Sequence, residues 1–164
     1  MRSILKINWD SNLPIYMISQ SELKKKGINS LLLDVDGTLV NRKTNIISKA
    51  VKNWIIESKK LFSLYLISNN PSKKRVAKLA KELNLRYKYN ASKPRKKVTL
   101  SAINEIGIEP KNIAIIGDRI FTDMIVGNRC NIKTILVKRL NRDGLPIKFN
   151  LTLTIEKLIS HFIK

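Results

Sequence analysis

The segment Asp34-Val35-Asp36-Gly37-Thr38-Leu39-Val40 sets two carboxylates two residues apart. Like charges that close repel unless a cation lies between them. Mg2+ suits such a pair, because it is a hard ion held by few carboxylates, waters and phosphate oxygens. Gly37 lets the chain turn so that backbone amides can face an anion. Further along, Ser68 and Asn69 offer a hydroxyl and amides, and Lys93 offers a point charge. Asp118 and Asp123 add carboxylates for a metal. Thr38 is placed either to bond a phosphate or to cap the turn. Together these residues describe a phosphate-plus-Mg2+ site with a carboxylate nucleophile, a recognised covalent route.

Taken singly, each has an ordinary reading. An Asp after a strand is commonly a helix cap or turn residue. Lys93 alone is a solvated lysine, and Asp123 alone is a helix cap. The functional reading rests on their joint placement. Cys130 reads as a small buried hydrophobe, and His161 as a surface or packing residue in a terminal helix away from the motifs.

The elements around these residues give that placement. A buried strand is expected over 30–34, followed by a helix over 48–59 behind a Ser cap with a core stripe of Val51, Trp54 and Ile55. A strand over 61–67 ends at Ser68. A helix over 71–83 takes Pro71 in its first turn and buries Val76, Leu79, Ala80 and Leu83. A short strand over 85–89, a helix over 94–106 stopped by Gly107, a strand over 112–116, a short helix over 121–128 and a strand over 133–137 follow. Ile155, Leu158, Ile159 and Phe162 stripe a last helix behind Thr154. This alternation predicts an α/β fold of three layers, Rossmann-like, with a mainly parallel sheet, as one domain over 1–164. Ligands of such sheets bind beyond the carboxyl ends of the strands, which is where Asp34, Ser68, Lys93 and Asp118 fall.

Composition narrows the classes. One cysteine excludes an internal disulfide and a cysteine-only zinc site. The longest apolar runs fall far short of the ~18 residues that cross a bilayer, and residues 1–7 carry no secretory h-region. A cytoplasmic protein is therefore expected. The formal charge of +20 suggests a polyanionic partner. The plain alternative is codon bias, since 24 Ile, 23 Lys and 16 Asn stand against 6 Ala. Bias does not explain the clustering: residues 71–100 carry +10 of the excess, opposed only by Glu82. That window has no nucleic-acid-binding motif and no aromatic interleaving beyond Tyr87 and Tyr89, so no nucleic-acid partner is expected.

The segments D-V-D-G-T-L-V, S-N-N, K-P and G-D-R-I-F-T-D, in this order, resemble motifs one to four of the haloacid dehalogenase (HAD) superfamily. The resemblance implies that Asp34 is the nucleophile, forming an aspartyl-phosphate. Asp36 would protonate the leaving oxygen and then activate the hydrolytic water. Asp34, the Asp36 carbonyl and Asp118 would hold Mg2+, with Asp123 in support. Ser68, Asn69, Thr38 and Lys93 would hold the phosphoryl group. Asp36 points to phosphate chemistry, since the dehalogenases lack this second Asp and the phosphorylating ATPases carry Thr there. Neither the stretch from Val40 to Ser68 nor that from Asn70 to Lys93 has room for a lid domain. An unlidded site favours a large substrate that covers it, or a neighbouring subunit as lid.

The same segments, with the Gly127-Asn128-Arg129 run and a late K-F-N, are similar to the YqeG-like branch of HAD phosphatases, which includes phosphatidylglycerophosphate phosphatases. Gly37 departs from the Asn associated with that position. This likeness implies removal of the terminal phosphate of phosphatidylglycerophosphate; the alternative is a soluble phosphoprotein, nucleic-acid end or metabolite. The basic runs after motif two and around motif three would then face an anionic membrane from its inner side. The apolar residues Ile4, Leu5, Ile7, Trp9, Leu13, Ile15, Tyr16 and Ile18 are expected to pack against the domain rather than enter a membrane interface.

Overall fold

The computed structural model describes residues 4–162. Its strands are β1 (Trp9–Asp10), β2 (Ser30–Leu33), β3 (Ser63–Ile67), β4 (Arg86–Lys88), β5 (Ile113–Gly117) and β6 (Lys133–Leu136). They form one sheet in the order β1-β6-β5-β2-β3-β4, with every neighbouring pair parallel. The helices are α1 (Gln20–Lys25), α2 (Lys49–Lys59), α3 (Lys73–Leu83), α4 (Lys97–Ile106), α5 (Ile125–Arg129) and α6 (Leu151–Phe162).

The strands are apolar on both faces because both are covered. Leu31 and Leu33, Leu64 and Leu66, and Ala114 and Ile116 turn to the side that α2 and α3 close with Val51, Trp54, Ile55, Leu79 and Leu83. Leu32, Tyr65, Ile113 and Ile115 turn to the other, under Ala102 and Ile103 of α4 and Val126 of α5. The three expected layers are present, and the sheet is wholly rather than mainly parallel. Only α2 lies between β2 and β3, and only α3 between β3 and β4, so neither connection carries a lid domain.

Helix starts depart from the sequence reading in three places. Pro71 lies outside α3, which begins at Lys73 behind Ser72; the Ser72 hydroxyl accepts the Arg75 N–H. α4 begins at Lys97 rather than at Pro94. α6 is capped by Asn150, whose side-chain oxygen accepts the Leu153 N–H, while the Thr154 hydroxyl bonds back to the Asn150 carbonyl. The helix expected over 121–128 is a π-helical turn, Ile120–Met124, running into α5.

The apolar stripe of α6 points outward: Ile155, Leu158 and Ile159 are exposed, while Glu156 is buried and Leu153 packs on the Ile120/Met124 cluster. The side chain of Phe162 lies outside the described residues, as do residues 1–3. At the other end of the chain the packing expectation holds. Leu5, Ile15 and Ile18 are buried, Ile7, Trp9 and Tyr16 pack against the core, and Ile4 and Leu13 stay exposed. The short edge strand β1, without periodicity to announce it, adds a strand that the sequence reading did not contain. No helix among the described residues is long and apolar enough to cross a membrane.

Trp54 ties α2 to this segment, since its buried indole N–H donates to the Ile18 carbonyl at 2.8 Å. Trp54→Phe removes the donor and strands a buried acceptor. The expected loss, read from urea unfolding, is about 1–3 kcal/mol; an unchanged midpoint would mean that the tie contributes nothing.

Candidate active site

The register of the sheet brings the motif residues together. Leu33 pairs with Leu66 on one side and with Ile116 on the other. The next residues along these strands run to Asp34, Ser68 and Asp118. Asp34 carries the ladder one bond further, donating its N–H to the Ile116 carbonyl. The chain leaves β2 toward β3 and β4 and returns to β5 on the opposite side. The gap beside β2 is therefore a topological switch point, where open α/β sheets bind ligands.

Lys93 enters this gap from the loop after β4. Its ammonium donates to Asp34 Oδ1 and to Asp123 Oδ1, both at 2.6 Å, and to the Ile67 carbonyl at 3.1 Å. The residue is only 4% exposed. Asn69 fixes its backbone from both sides, donating to the Lys93 carbonyl at 2.9 Å and accepting the Lys93 N–H at 2.7 Å. The Asn69 side chain, assigned to phosphate from sequence, is thus engaged in placing Lys93.

Thr38 is fully buried and its hydroxyl donates to Asp34 Oδ2 at 3.0 Å. It orients the carboxylate from below and does not line the cavity. Ser68 is buried too; its hydroxyl oxygen accepts the Asn70 N–H and keeps its own proton to donate.

Asp34, Asp118 and Asp123 each turn one oxygen inward, all within 4.8 Å of one another. Asp123 reaches this position from the π-helical turn across Gly117. A Cβ on Gly117 would stand 2.3 Å from the Asp123 carboxyl carbon, so only glycine fits. Asp36 does not join the three. Its Oδ1 accepts from Arg75 at 2.5 Å and its Oδ2 from Asn70 at 3.1 Å. Its carboxylate therefore lines the cavity apart from the three.

The cluster fits a divalent cation. Asp118 Oδ1 is buried and has no hydrogen-bond partner, an acceptor that a cation would satisfy. The donors are all hard oxygens, as Mg2+ requires. Against Lys93 and Arg139, the three buried carboxylates keep an excess of one negative charge. Their titration reflects this. Burial pushes the Asp34 carboxyl up to about 7, opposed by Lys93 and reinforced by Asp123 and Asp118. Burial, then Asp123, pushes Asp118 up to about 6 against the pull of Arg139. Burial alone would lower Lys93, but Asp123 and Asp34 outweigh it and hold the ammonium well above its ordinary value.

Several site residues were missed from sequence. The cavity of about 40 Å³ is lined by Arg42, Asn70, Arg119, Thr122 and Arg139 besides Asp34, Asp36, Asn69, Lys93, Asp118 and Asp123. Arg139 Nε donates to Asp118 Oδ2 at 2.6 Å. It does so over Gly37, whose φ is +101° and whose Cβ, if present, would lie 2.7 Å from Asp118 Oδ2 and 2.9 Å from Arg139 Nε. An Asn here would be strained at this φ and its Cβ would collide with this pair, so Gly37 belongs with Arg139. Arg75, one of the cations of the 71–100 window, turns inward to Asp36 and to the Thr44 carbonyl at 2.8 Å. Arg119 and Asn70 stood inside the quoted motif segments, whereas nothing local marked Arg139 or Arg75.

The chain is similar to several known proteins. A family model described as HAD-hydrolase-like matches residues 90–143, a span that holds Lys93, Asp118 and Asp123. The Bacillus subtilis protein named Probable phosphatase YqeG is 28% identical over 137 residues, covering 83% of this chain and 80% of its own. Among solved structures, the fold is similar to the magnesium-bound HAD-hydrolase YfnB of Bacillus subtilis. That match has a TM-score of 0.55 and 13% identity, over 73% of this chain and 90% of that one. It is also similar to the cobalt-bound deoxy-D-mannose-octulosonate 8-phosphate phosphatase of Haemophilus influenzae. There the TM-score is 0.52 and the identity 17%, over 68% and 69% of the two chains. The resemblance to the HAD superfamily and its YqeG-like branch, and the Rossmann-like fold it implied, are borne out.

The raised carboxyls give a stability test. Without metal, the folded chain holds protons on Asp34 and Asp118 that the unfolded chain, near its ordinary value of 3.8, would release. That contribution is complete below about pH 4 and is lost as pH rises through about 6 to 7. In chelator the thermal midpoint is expected to rise by a few degrees from about pH 8 to about pH 5. Added Mg2+, which displaces those protons, is expected to flatten or reverse the trend. A midpoint indifferent to Mg2+ at about pH 8 would count against the metal site.

Proposed function

We propose that this chain is a Mg2+-dependent phosphomonoester hydrolase acting through a phosphorylated Asp34, with the terminal phosphate of phosphatidylglycerophosphate as its substrate. The observation that carries the reaction is the setting of Asp34. One of its oxygens is held by Thr38 and the other by Lys93, it faces Asp118 and Asp123, and Asp36 stands two residues along.

Asp34, Asp118 and the Asp36 carbonyl would hold the ion, with Asp123 in support. Bound there, Mg2+ supplies positive charge that offsets the phosphoryl oxygens. Asp34 attacks phosphorus, and the bond to the leaving oxygen breaks as Asp36 gives that oxygen a proton. A water then attacks the phosphorus of the aspartyl-phosphate and Asp36 takes its proton, so that phosphate leaves and Asp34 is restored. Lys93 and the Ser68 hydroxyl would offset charge on the transferring group. Arg75 and Asn70 hold the Asp36 carboxylate ready as the base of the second step.

The lipid substrate is supported by three features. Neither connection that could carry a lid holds more than one helix. The cavity rim presents Arg42, Arg119 and Arg139, suited to a substrate with a second phosphate beyond the scissile one. Lys73, Lys74 and Lys78 are exposed on α3, which starts just past Asn70. Such an enzyme would work peripherally at the inner face of an anionic membrane.

Phosphate release from phosphatidylglycerophosphate in mixed micelles with Mg2+, set against soluble phosphomonoesters, tests the reading. Asp34→Asn is expected to lower turnover by at least about 10³-fold. Lys93→Met is expected to lower it by about 10²–10³-fold. Full activity of Asp34→Asn would remove the covalent route, and turnover of soluble esters alone would remove the lipid substrate.

A further inference from the structure

The helix α6 is built with its apolar stripe outward. Leu151, Ile155, Leu158 and Ile159 are 60%, 47%, 55% and 39% exposed, and Phe149 just ahead of the helix is 69% exposed. Ile155, Leu158 and Ile159 recur at helical spacing, which ordinarily marks the buried face. Here the buried face is made of Leu153 and Glu156 instead. Glu156 accepts from Arg119 Nε at 3.0 Å and from the Ile120 N–H at 2.7 Å. A run of large apolar side chains on one exposed face marks an interaction surface.

We infer that this face of α6 lies in the interface of an anionic lipid bilayer and docks the site on it. Three observations select that occupant. The 12 described residues of α6 carry their large apolar side chains on one face, so they can lie along a bilayer interface. Its one acidic residue, Glu156, is buried against Arg119, which leaves the outward face without a carboxylate, and Lys148 is exposed just before it. The chain carries +20, so two copies brought together on this face repel each other, whereas an anionic surface attracts each one.

Arg119 also lines the catalytic cavity. The helix is about 10 Å across. Its apolar side therefore rests within roughly that distance of a rim arginine, which sets the cavity at headgroup level. The choice of lipid as occupant rests on the lipid-phosphate reading above.

The test is co-sedimentation of the full chain with vesicles of equimolar phosphatidylglycerol and phosphatidylcholine. Wild type is expected to pellet with them. Ile155→Asp/Leu158→Asp is expected to bind at least about tenfold more weakly, with circular dichroism and thermal midpoint unchanged because both positions are exposed. Ile155→Ser/Leu158→Ser serves if the charged pair fails to fold. Equal vesicle binding by wild type and either folded variant would overturn the inference. So would a wild-type dimer, by analytical ultracentrifugation, that the variant dissociates while neither binds vesicles. Because the vesicles hold no phosphatidylglycerophosphate, failure of the substrate reading leaves this result intact: vesicle binding lost in the variant supports docking whether or not the lipid phosphate is hydrolysed.

Discussion

The structure around the cavity depends on one buried ammonium. Lys93 stands between Asp34 and Asp123, with a backbone carbonyl as its third acceptor. A lysine taken out of water at this depth is costly unless paired and fully hydrogen-bonded, and here all three of its protons are used. The three acceptors come from the ends of β2 and β3 and from the turn after β5. Only a sheet in which β2 lies between β3 and β5 can supply them together. Removing the ammonium would leave buried carboxylates facing one another, which is why Asn69 holds the Lys93 backbone at two points. The fold and the site thus meet in one residue.

How much of this could be read in the sequence follows from where each constraint is written. Asp34, Ser68 and Asp118 each close an apolar strand, and a parallel sheet places strand ends side by side. The cluster was therefore legible from local pattern plus topology. Arg75 and Arg139 were not, because an ion pair between distant elements leaves no local trace. In a window of eleven cations, nothing distinguishes the one that turns inward to Asp36. Gly37 carried a partial signal. Its type announced a turn, but its partner Arg139 appears only when the carboxyl ends of β2 and β5 are seen together.

The helix α6 shows a different limit. Periodicity reports that a helix has an apolar side, not what covers it. Ile155, Leu158 and Ile159 have the spacing of a core stripe. The position of Glu156, whose carboxylate joins Arg119 and the Ile120 N–H, turned the helix the other way. A buried carboxylate with two partners outweighed the stripe in setting the helix orientation. The amino-terminal segment, equally apolar, found the opposite outcome: Ile15 and Ile18 join the core beside Trp54, whose indole N–H donates to the Ile18 carbonyl.

The excess charge also acquires a location once the cavity is separated from the surface. Arg42, Lys93, Arg119 and Arg139 line the cavity opposite Asp34, Asp36, Asp118 and Asp123. Four cations balance four carboxylates, so the cavity holds none of the +20. A phosphomonoester near neutral pH carries close to two negative charges, and a cavity balanced in itself has nothing to offset them. In the proposed reaction a divalent cation held by Asp34, Asp118 and Asp123 would supply that charge. The surface lysines then act over distances comparable to the Debye length, about 10 Å at moderate salt. They would raise the local concentration of an anionic partner without entering the chemistry. Attraction at the surface and charge balance in the cavity are separate tasks here, carried by separate residues.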